Sequence, residues 1–281
     1  MIRFFLLLSL FSFSARAEMP LLFLVGEAQQ GETIFGHADP SSELTLNGAP
    51  VPRRDDGWFV VGIGRNDTEP LEFSVKSDKG DYIRKMTVTE RKWRVQRIDG
   101  LEKNKVSPSP EEQARIGKEF KAIADARKKK TNAVFPLCFI KPVEGRISSV
   151  YGSQRILNGE PKSPHNALDY AAKTGTPITA PADGVVTLAY DEMFLTGKTV
   201  LIDHGLGVTT SYSHLSKMSV KEGDIVKRGD KIGEVGATGR ATGPHLHWVV
   251  SIREKRVDPQ VFLENAAKFC DTDDEKQERK H

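Results

Sequence analysis

The stretch "VKEGDIVKRGDKIGEVGATGRATGPHLHWVV", residues 220–250, decides the fold. Its short apolar runs are broken by glycine every few residues, with no convincing helix between them. Strands so closely spaced predict an antiparallel all-β domain. Its end, "GPHLHWVV" (243–250), sets His245 and His247 at the head of an apolar run. In a strand residues i and i+2 point the same way, so both imidazoles share one face. A half-exposed pair on an edge strand is the plain alternative, and what else can meet these rings decides between the two.

Working outward, the same pattern runs from Phe135 to about Leu263, through "GRISSVYG", "TGTPITAPADGVVTLAY" and "KTVLIDHGLGVTTSYSHL". Between Thr33 and Thr89 a second set of alternating runs carries Asn47-Gly48 and Asp56-Gly57, which supply the positive φ angles of tight hairpins. This reads as a small antiparallel β-sandwich, and its His37 has no second metal-capable residue at a recognisable spacing. The period changes at "SPSPEEQARIGKEFKAIADARKKK" (107–130). There Ser109, Pro110 and Glu112 read as N-cap, first helical residue and capping-box partner. Ile116, Phe120, Ile123 and Ala124 then mark one apolar stripe of a connecting helix.

At 281 residues, with 38% hydrophobic and 28% charged residues, the chain can bury a sizeable core and suits two domains. It opens with "MIRFFLLLSLFSFSARA", where Arg3 precedes an apolar stretch too short to anchor permanently in a bilayer, and Ala15-Arg16-Ala17 follows. An exported protein beginning near Glu18 is expected, with the periplasm as its destination and no membrane anchor after cleavage. Without Arg3 and Arg16 the count is 39 basic against 38 acidic residues, about +1 net. That balance argues against nucleic acid as a partner. The basic run "ARKKK" (126–130) reads as a solvated helix end favoured by the macrodipole. Cys138 and Cys270 are free thiols or, in an oxidising compartment, a disulfide across the second half. The tail "DTDDEKQERKH", with His281, is expected to be disordered.

Two further places in the β-domain offer chemistry. In "SPHNALDYA", His165 and Asp169 are four apart in a segment read as extended, where both would share a face. In "VTTSYSHLS", alternation groups Thr210, Tyr212 and His214, making His214 a candidate for the same cleft. His204, in "IDHG", reads as a surface histidine in a turn. Catalytic zinc sites hold three protein ligands and keep one position open, and histidines with a carboxylate are a usual set. His165, Asp169 and one histidine of the His-x-His pair complete it. The other histidine is then free to accept a proton from water, and His214 to donate a hydrogen bond to an oxyanion. The residues alone leave open which of His245 and His247 binds.

"H-N-A-L-D", "S-H-L" and "G-P-H-L-H" in this order, with "TPITAPADGVV" between, resemble the lysostaphin/LytM-type zinc endopeptidases that cut bacterial cell-wall peptides. The resemblance covers roughly residues 140–260. It implies one zinc ion per chain held by His165, Asp169 and His247, with His245 and His214 as catalytic, non-ligand histidines, and peptidoglycan as substrate. Where the family commonly has glycine between the first histidine and the aspartate, this chain has Ala167, whose methyl would tighten the cleft floor. The expected layout is mainly β: a signal peptide (1–17), an Ig-like β-sandwich (18–90), a linker with the amphipathic helix (91–135), a zinc endopeptidase domain (136–265) and a charged tail (266–281). Segments 152–164, 190–198 and 236–243 are expected to wall the cleft, with Tyr151, Arg155 and Arg240 as substrate contacts.

Two alternatives stand beside this reading. Some relatives with this fold have lost the ligands and regulate other wall hydrolases; here all five site residues are present. "VKEGDIVKRGDKIG" also resembles the turns of biotin- and lipoyl-carrier domains, with Lys227 and Lys231 flanking a turn, but that account leaves the histidines without a part.

Overall fold

Asn47 and Gly48 take φ values of 49° and 77°, the left-handed pair that a two-residue hairpin between right-twisted strands needs. They join β3 (Glu43–Leu46) to β4 (Ala49–Pro50) in the computed structural model, which describes residues 21–100 and 106–270. The expected signal segment 1–17 and residues 271–281 of the expected tail, His281 included, lie outside the described residues. β3 and β4 form a four-stranded sheet with β6 (Leu71–Ser77) and β7 (Gly80–Met86); β1 (Leu22–Val25), β2 (Thr33–Ala38) and β5 (Trp58–Gly62) form a three-stranded one. Leu44, Phe73 and Val75 of the first sheet and Ile34, Phe59 and Val61 of the second make one buried cluster. Two sheets with alternating inward residues packed on a shared core are a β-sandwich.

α1 (Pro110–Lys128) starts on the expected box: the Ser109 hydroxyl accepts from the Glu112 N–H, and the Glu112 carboxylate accepts from the Ser109 N–H at 2.7 Å. Its packed face is turned from the expected one. Glu119, Ile123 and Ala126 are buried, whereas Phe120 is 48% exposed. Ile123 and Ala126 pack on Leu188, Met193 and Leu201, and the buried Glu119 carboxylate accepts from the Phe194 N–H at 2.8 Å and from Arg115 Nε at 2.7 Å. A carboxylate so satisfied can lie inward, which the apolar stripe alone does not anticipate.

The second half is built on β9 (Arg146–Ser149), β12 (Leu168–Ala171), β14 (Gly184–Met193), β15 (Gly197–Asp203), β16 (Val208–Leu215), β18 (Ile225–Val226), β20 (His245–Ile252) and β21 (Lys255–Val257). They form an antiparallel sheet in the order β18-β14-β15-β16-β20-β12-β9, with β21 continuing the β12 edge of β20. Val200, Ile202, Tyr212, Leu246, Trp248 and Val250 bury one face. β13 (Pro177–Thr179), β19 (Lys231–Glu234) and β17 (Lys217–Met218) make a small sheet whose Ile178 and Ile232 join that core. β8 (Val95–Ile98), in the segment read as a linker, runs parallel to β10 (Gln154–Leu157), which also pairs with β11 (Glu160–Pro161).

A second helix, α2 (Pro259–Ala267), was not expected. Asp258 caps it by accepting from the Gln260 N–H at 3.0 Å, and Phe262 and Ala266 are buried. Residues 266–270 therefore belong to the packed structure and not to the tail: Phe269 is buried, and Cys270 forms a disulfide with Cys138. Phe262 and Phe269 lie with ring centroids 5.6 and 5.5 Å from Phe35 of β2, so the sandwich and the second half share one core.

Candidate functional site

The pairing of β12 with β20 sets Asp169 directly opposite His247 and Ala171 opposite His245. His165 comes from the irregular segment before β12, where its backbone exchanges hydrogen bonds with Gly152 and Ser153 at 2.7 and 2.8 Å. The expectation that His165 and Asp169 share a strand is thus corrected, yet the two side chains meet: His165 Nε2 is 3.0 Å from Asp169 Oδ1. His247 Nδ1 lies 2.8 Å from the same oxygen and 3.3 Å from His165 Nε2. His165 is 2% exposed and Asp169 5% exposed, so these atoms meet in a largely dry place.

A hydrogen bond at the back of this trio fixes one of its protons. His165 Nδ1 faces the Val150 carbonyl at 3.0 Å, and a carbonyl only accepts, so Nδ1 carries the hydrogen. The His165 Nε2 is then the ring atom turned to the carboxylate oxygen, and donor atoms of His165, Asp169 and His247 drawn this close together suit a cation between them. Burial, partly opposed by Asp169, brings the His247 pKa down to about 4, so this ring is neutral at pH 7. Burial alone would raise the Asp169 carboxyl, but the two histidines facing it hold it well below the usual range. Arg155 Nη2 approaches Asp169 Oδ2 at 3.5 Å.

His214 and His245 stand beside this trio, their ring centroids 4.8 Å apart, and His214 is 5.7 Å from His247. His214 gets there against the alternation of its strand. Ser211 and Ser213 pair with Val249 and His247 and line the groove, while Thr210 and Tyr212 bond to each other on the opposite face at 2.8 Å. A left-handed backbone at His214 (φ 66°), where the β15–β16 register shifts, turns its ring into the cleft. Both rings aim Nδ1 at a carbonyl, His214 at Thr238 O (2.7 Å) and His245 at Gly243 O (2.8 Å). Each Nδ1 therefore donates, and each Nε2 is the ring nitrogen left for the cleft. Burial and the neighbouring histidines push the His214 pKa down to about 3, so at neutral pH it is an acceptor. The donation to an oxyanion expected of it needs a second proton that burial opposes.

These five residues lie along a groove of about 660 Å³ on the sheet face away from the core. The expected walls contribute Arg155, Pro164, Leu195 and Arg240. Three sequence-based expectations are corrected. Tyr151 is 2% exposed, packs on Trp93 and donates to the Arg256 carbonyl, so it does not face the groove. His204 is fully buried, donating from Nδ1 to Asp183 O at 2.7 Å and accepting from Thr210 at 2.8 Å. Ala167 is fully buried and does not line the groove. The sequence reading missed α1 as a wall: Phe120, Ile123 and Arg127 line the groove, as do Arg146 and Arg256. The only hint was the basic run at the end of α1, which read as solvated. Among the described residues the lining holds five arginines and Lys162 against the single carboxylate Asp169, so the groove favours anionic ligands.

Residues 163–259 match Peptidase family M23. The chain is 42% identical over 114 residues to the peptidoglycan DD-endopeptidase ShyA of Vibrio cholerae serotype O1, covering 40% of this chain and 26% of that protein. It is 45% identical over 114 residues to the DD-carboxypeptidase/endopeptidase Mpg of Neisseria meningitidis serogroup B, with 41% and 26% coverage. It thus spans about a quarter of the length of these relatives. The likeness to a crystal structure of a peptidase M23 from Pseudomonas aeruginosa is far more extensive, with 34% identity, a TM-score of 0.60, and 87% of this chain and 93% of the other covered. A match that takes in the groove face and extends over nearly the whole of such a protein makes the chain a member of peptidase family M23.

Proposed function

We propose that the protein is an exported, zinc-dependent endopeptidase that hydrolyses peptide bonds in the stem peptides or cross-bridges of peptidoglycan. The observation that carries this reading is the convergence of His165 Nε2, Asp169 Oδ1 and His247 Nδ1 within 3.3 Å of one another. Two nitrogens and one oxygen form a donor set suited to a zinc ion with an open position. Zinc held there would supply Lewis acidity, polarising a peptide carbonyl and favouring ionisation of water.

The remaining work falls to the chain's own groups. Val150 O fixes the His165 tautomer, and Arg155 steadies the second oxygen of Asp169. His245, its Nδ1 tied to Gly243 O, offers Nε2 as the base that takes the proton of the attacking water and returns it to the leaving amine. His214, its Nδ1 tied to Thr238 O, offers a second acceptor on the same side. The arginine-lined groove would hold the acidic peptide across the sheet face.

The test is incubation of purified protein on purified peptidoglycan, with and without chelator, with mass spectrometry of the released fragments. Cleavage lost with chelator and restored by zinc supports the reading, and the fragment masses name the bond. Zinc bound without any cleavage would overturn it in favour of a family member that binds the wall and acts on other hydrolases.

A further inference from the structure

The groove extends well past the trio, and its far end is built from residues with no part in the chemistry above. β21 takes over the β12 edge of β20 and sets Arg256 opposite Ser251, four residues beyond His247. At about 3.4 Å per residue that is about 14 Å along the floor. From the facing wall, the last turn of α1 brings Arg127 into the same groove. Among the described residues neither guanidinium has an ion pair, and Arg127 Nε is buried with no hydrogen-bond partner. Ser251, 1% exposed and on the His247 side of β20, likewise has an unpartnered hydroxyl. The acid nearby, Glu254, is engaged by Lys128 at 2.9 Å.

The negative end of the α1 dipole explains a cation in its last turn. It does not explain why that cation sits beside a second guanidinium in a groove wall. Burial, and then the neighbouring Arg256, pull the Arg127 pKa down to about 10. Two half-buried guanidiniums without an ion pair, one of them with an unmet donor, form an incomplete site, and a planar anion would satisfy both forks at once.

We propose that Arg127 and Arg256 form a subsite for a free carboxylate of the bound peptide, three or four extended residues from the bond that is cut. This rests on reading the groove as a peptidase cleft and adds a specificity element to it.

The test compares a short peptidoglycan peptide bearing a free carboxylate with the same peptide amidated there, each titrated calorimetrically into the full-length protein with chelator present. The free form should bind about tenfold more tightly at low salt, as a charge-assisted hydrogen-bonded pair predicts. The gap should close in Arg127→Gln and in Arg256→Gln. Equal affinity of the two peptides for the unaltered protein would overturn the subsite whether or not the variants fold. Zinc-dependent cleavage of peptidoglycan by the same preparation separates the two claims. A gap without cleavage removes the proposed activity and supports the carboxylate subsite; cleavage without a gap removes the subsite alone.

Discussion

His204 sits fully buried with every polar atom engaged: Nδ1 donates to Asp183 O, and Nε2 accepts from Thr210, which in turn accepts from Tyr212. Burial brings its pKa down from 6.5 to about 4. Between those values the unfolded chain takes up a proton that the folded protein refuses, so stability is unaffected above about pH 6.5 and falls as pH falls toward 4. At pH 5 this one ring should cost about 2 kcal/mol relative to pH 7. Its NMR titration is the check: a His204 ring that protonates near 6.5 in the folded protein would remove the argument. At the site, His245→Gln should keep one zinc per chain yet lose roughly 10²- to 10⁴-fold in hydrolysis rate, the usual worth of a general base. His247→Ala should lose the metal itself, and elemental analysis beside the peptidoglycan assay separates the two effects. That these five side chains would gather in one cleft was legible because their types and order can be read without any knowledge of geometry. Their placement was not: strand alternation would send His214 to the Tyr212 side, and only the left-handed turn at that residue brings it to the cleft. The burial of His204 was hidden because its partner Asp183 lies across a strand pairing that a local pattern does not reveal.

Helix α1 shows what an element's own sequence can and cannot announce. Its start is local chemistry, Ser109 and Glu112 reciprocally capped, and was readable from four residues. Its face is decided by a distant partner, because the Phe194 N–H makes it favourable to turn Glu119 inward and leave Phe120 along the groove. Ile123→Ala should therefore destabilise the protein by about 2–4 kcal/mol, as for a buried aliphatic side chain. Phe120→Ala should stay within about 0.5 kcal/mol, as for an exposed position. Urea unfolding of the two variants decides between the faces; a larger loss at Phe120 would put the packed stripe back where apolar periodicity alone sets it. α2 was missed for a different reason. At nine residues it is too short for a period to declare itself, and its hold on the fold comes from Phe35 in the other half. β8 lay in a stretch with no strand signal of its own and is ordered by parallel pairing with β10.

For the whole molecule, the decisive feature is that its two β units are not independent. Phe35 of the sandwich stacks with Phe135 of the second half and packs against Phe262 and Phe269 at its end. The Asn265 side chain donates to Thr33 O at 3.0 Å, and Arg65 donates to Gly152 O at 2.8 Å. The Cys138–Cys270 disulfide closes this joint across 132 residues and fastens α2, which carries Phe262, to the segment carrying Phe135 and Phe139. In the chain-entropy account a loop of that length restricts the unfolded ensemble by about 5 kcal/mol. The double variant Cys138→Ser, Cys270→Ser should lose stability of that order under oxidising conditions. Because α2 is shared, the loss should fall on one transition covering both halves. Reductant should reproduce the effect in the unaltered protein and add nothing to the variant. Following Trp58, in the sandwich, and Trp248, in the second half, by variants that leave one reporter at a time gives the answer. Coincident transitions at a lower midpoint are expected, whereas Trp58 melting unchanged while Trp248 melts early would show two units that merely touch.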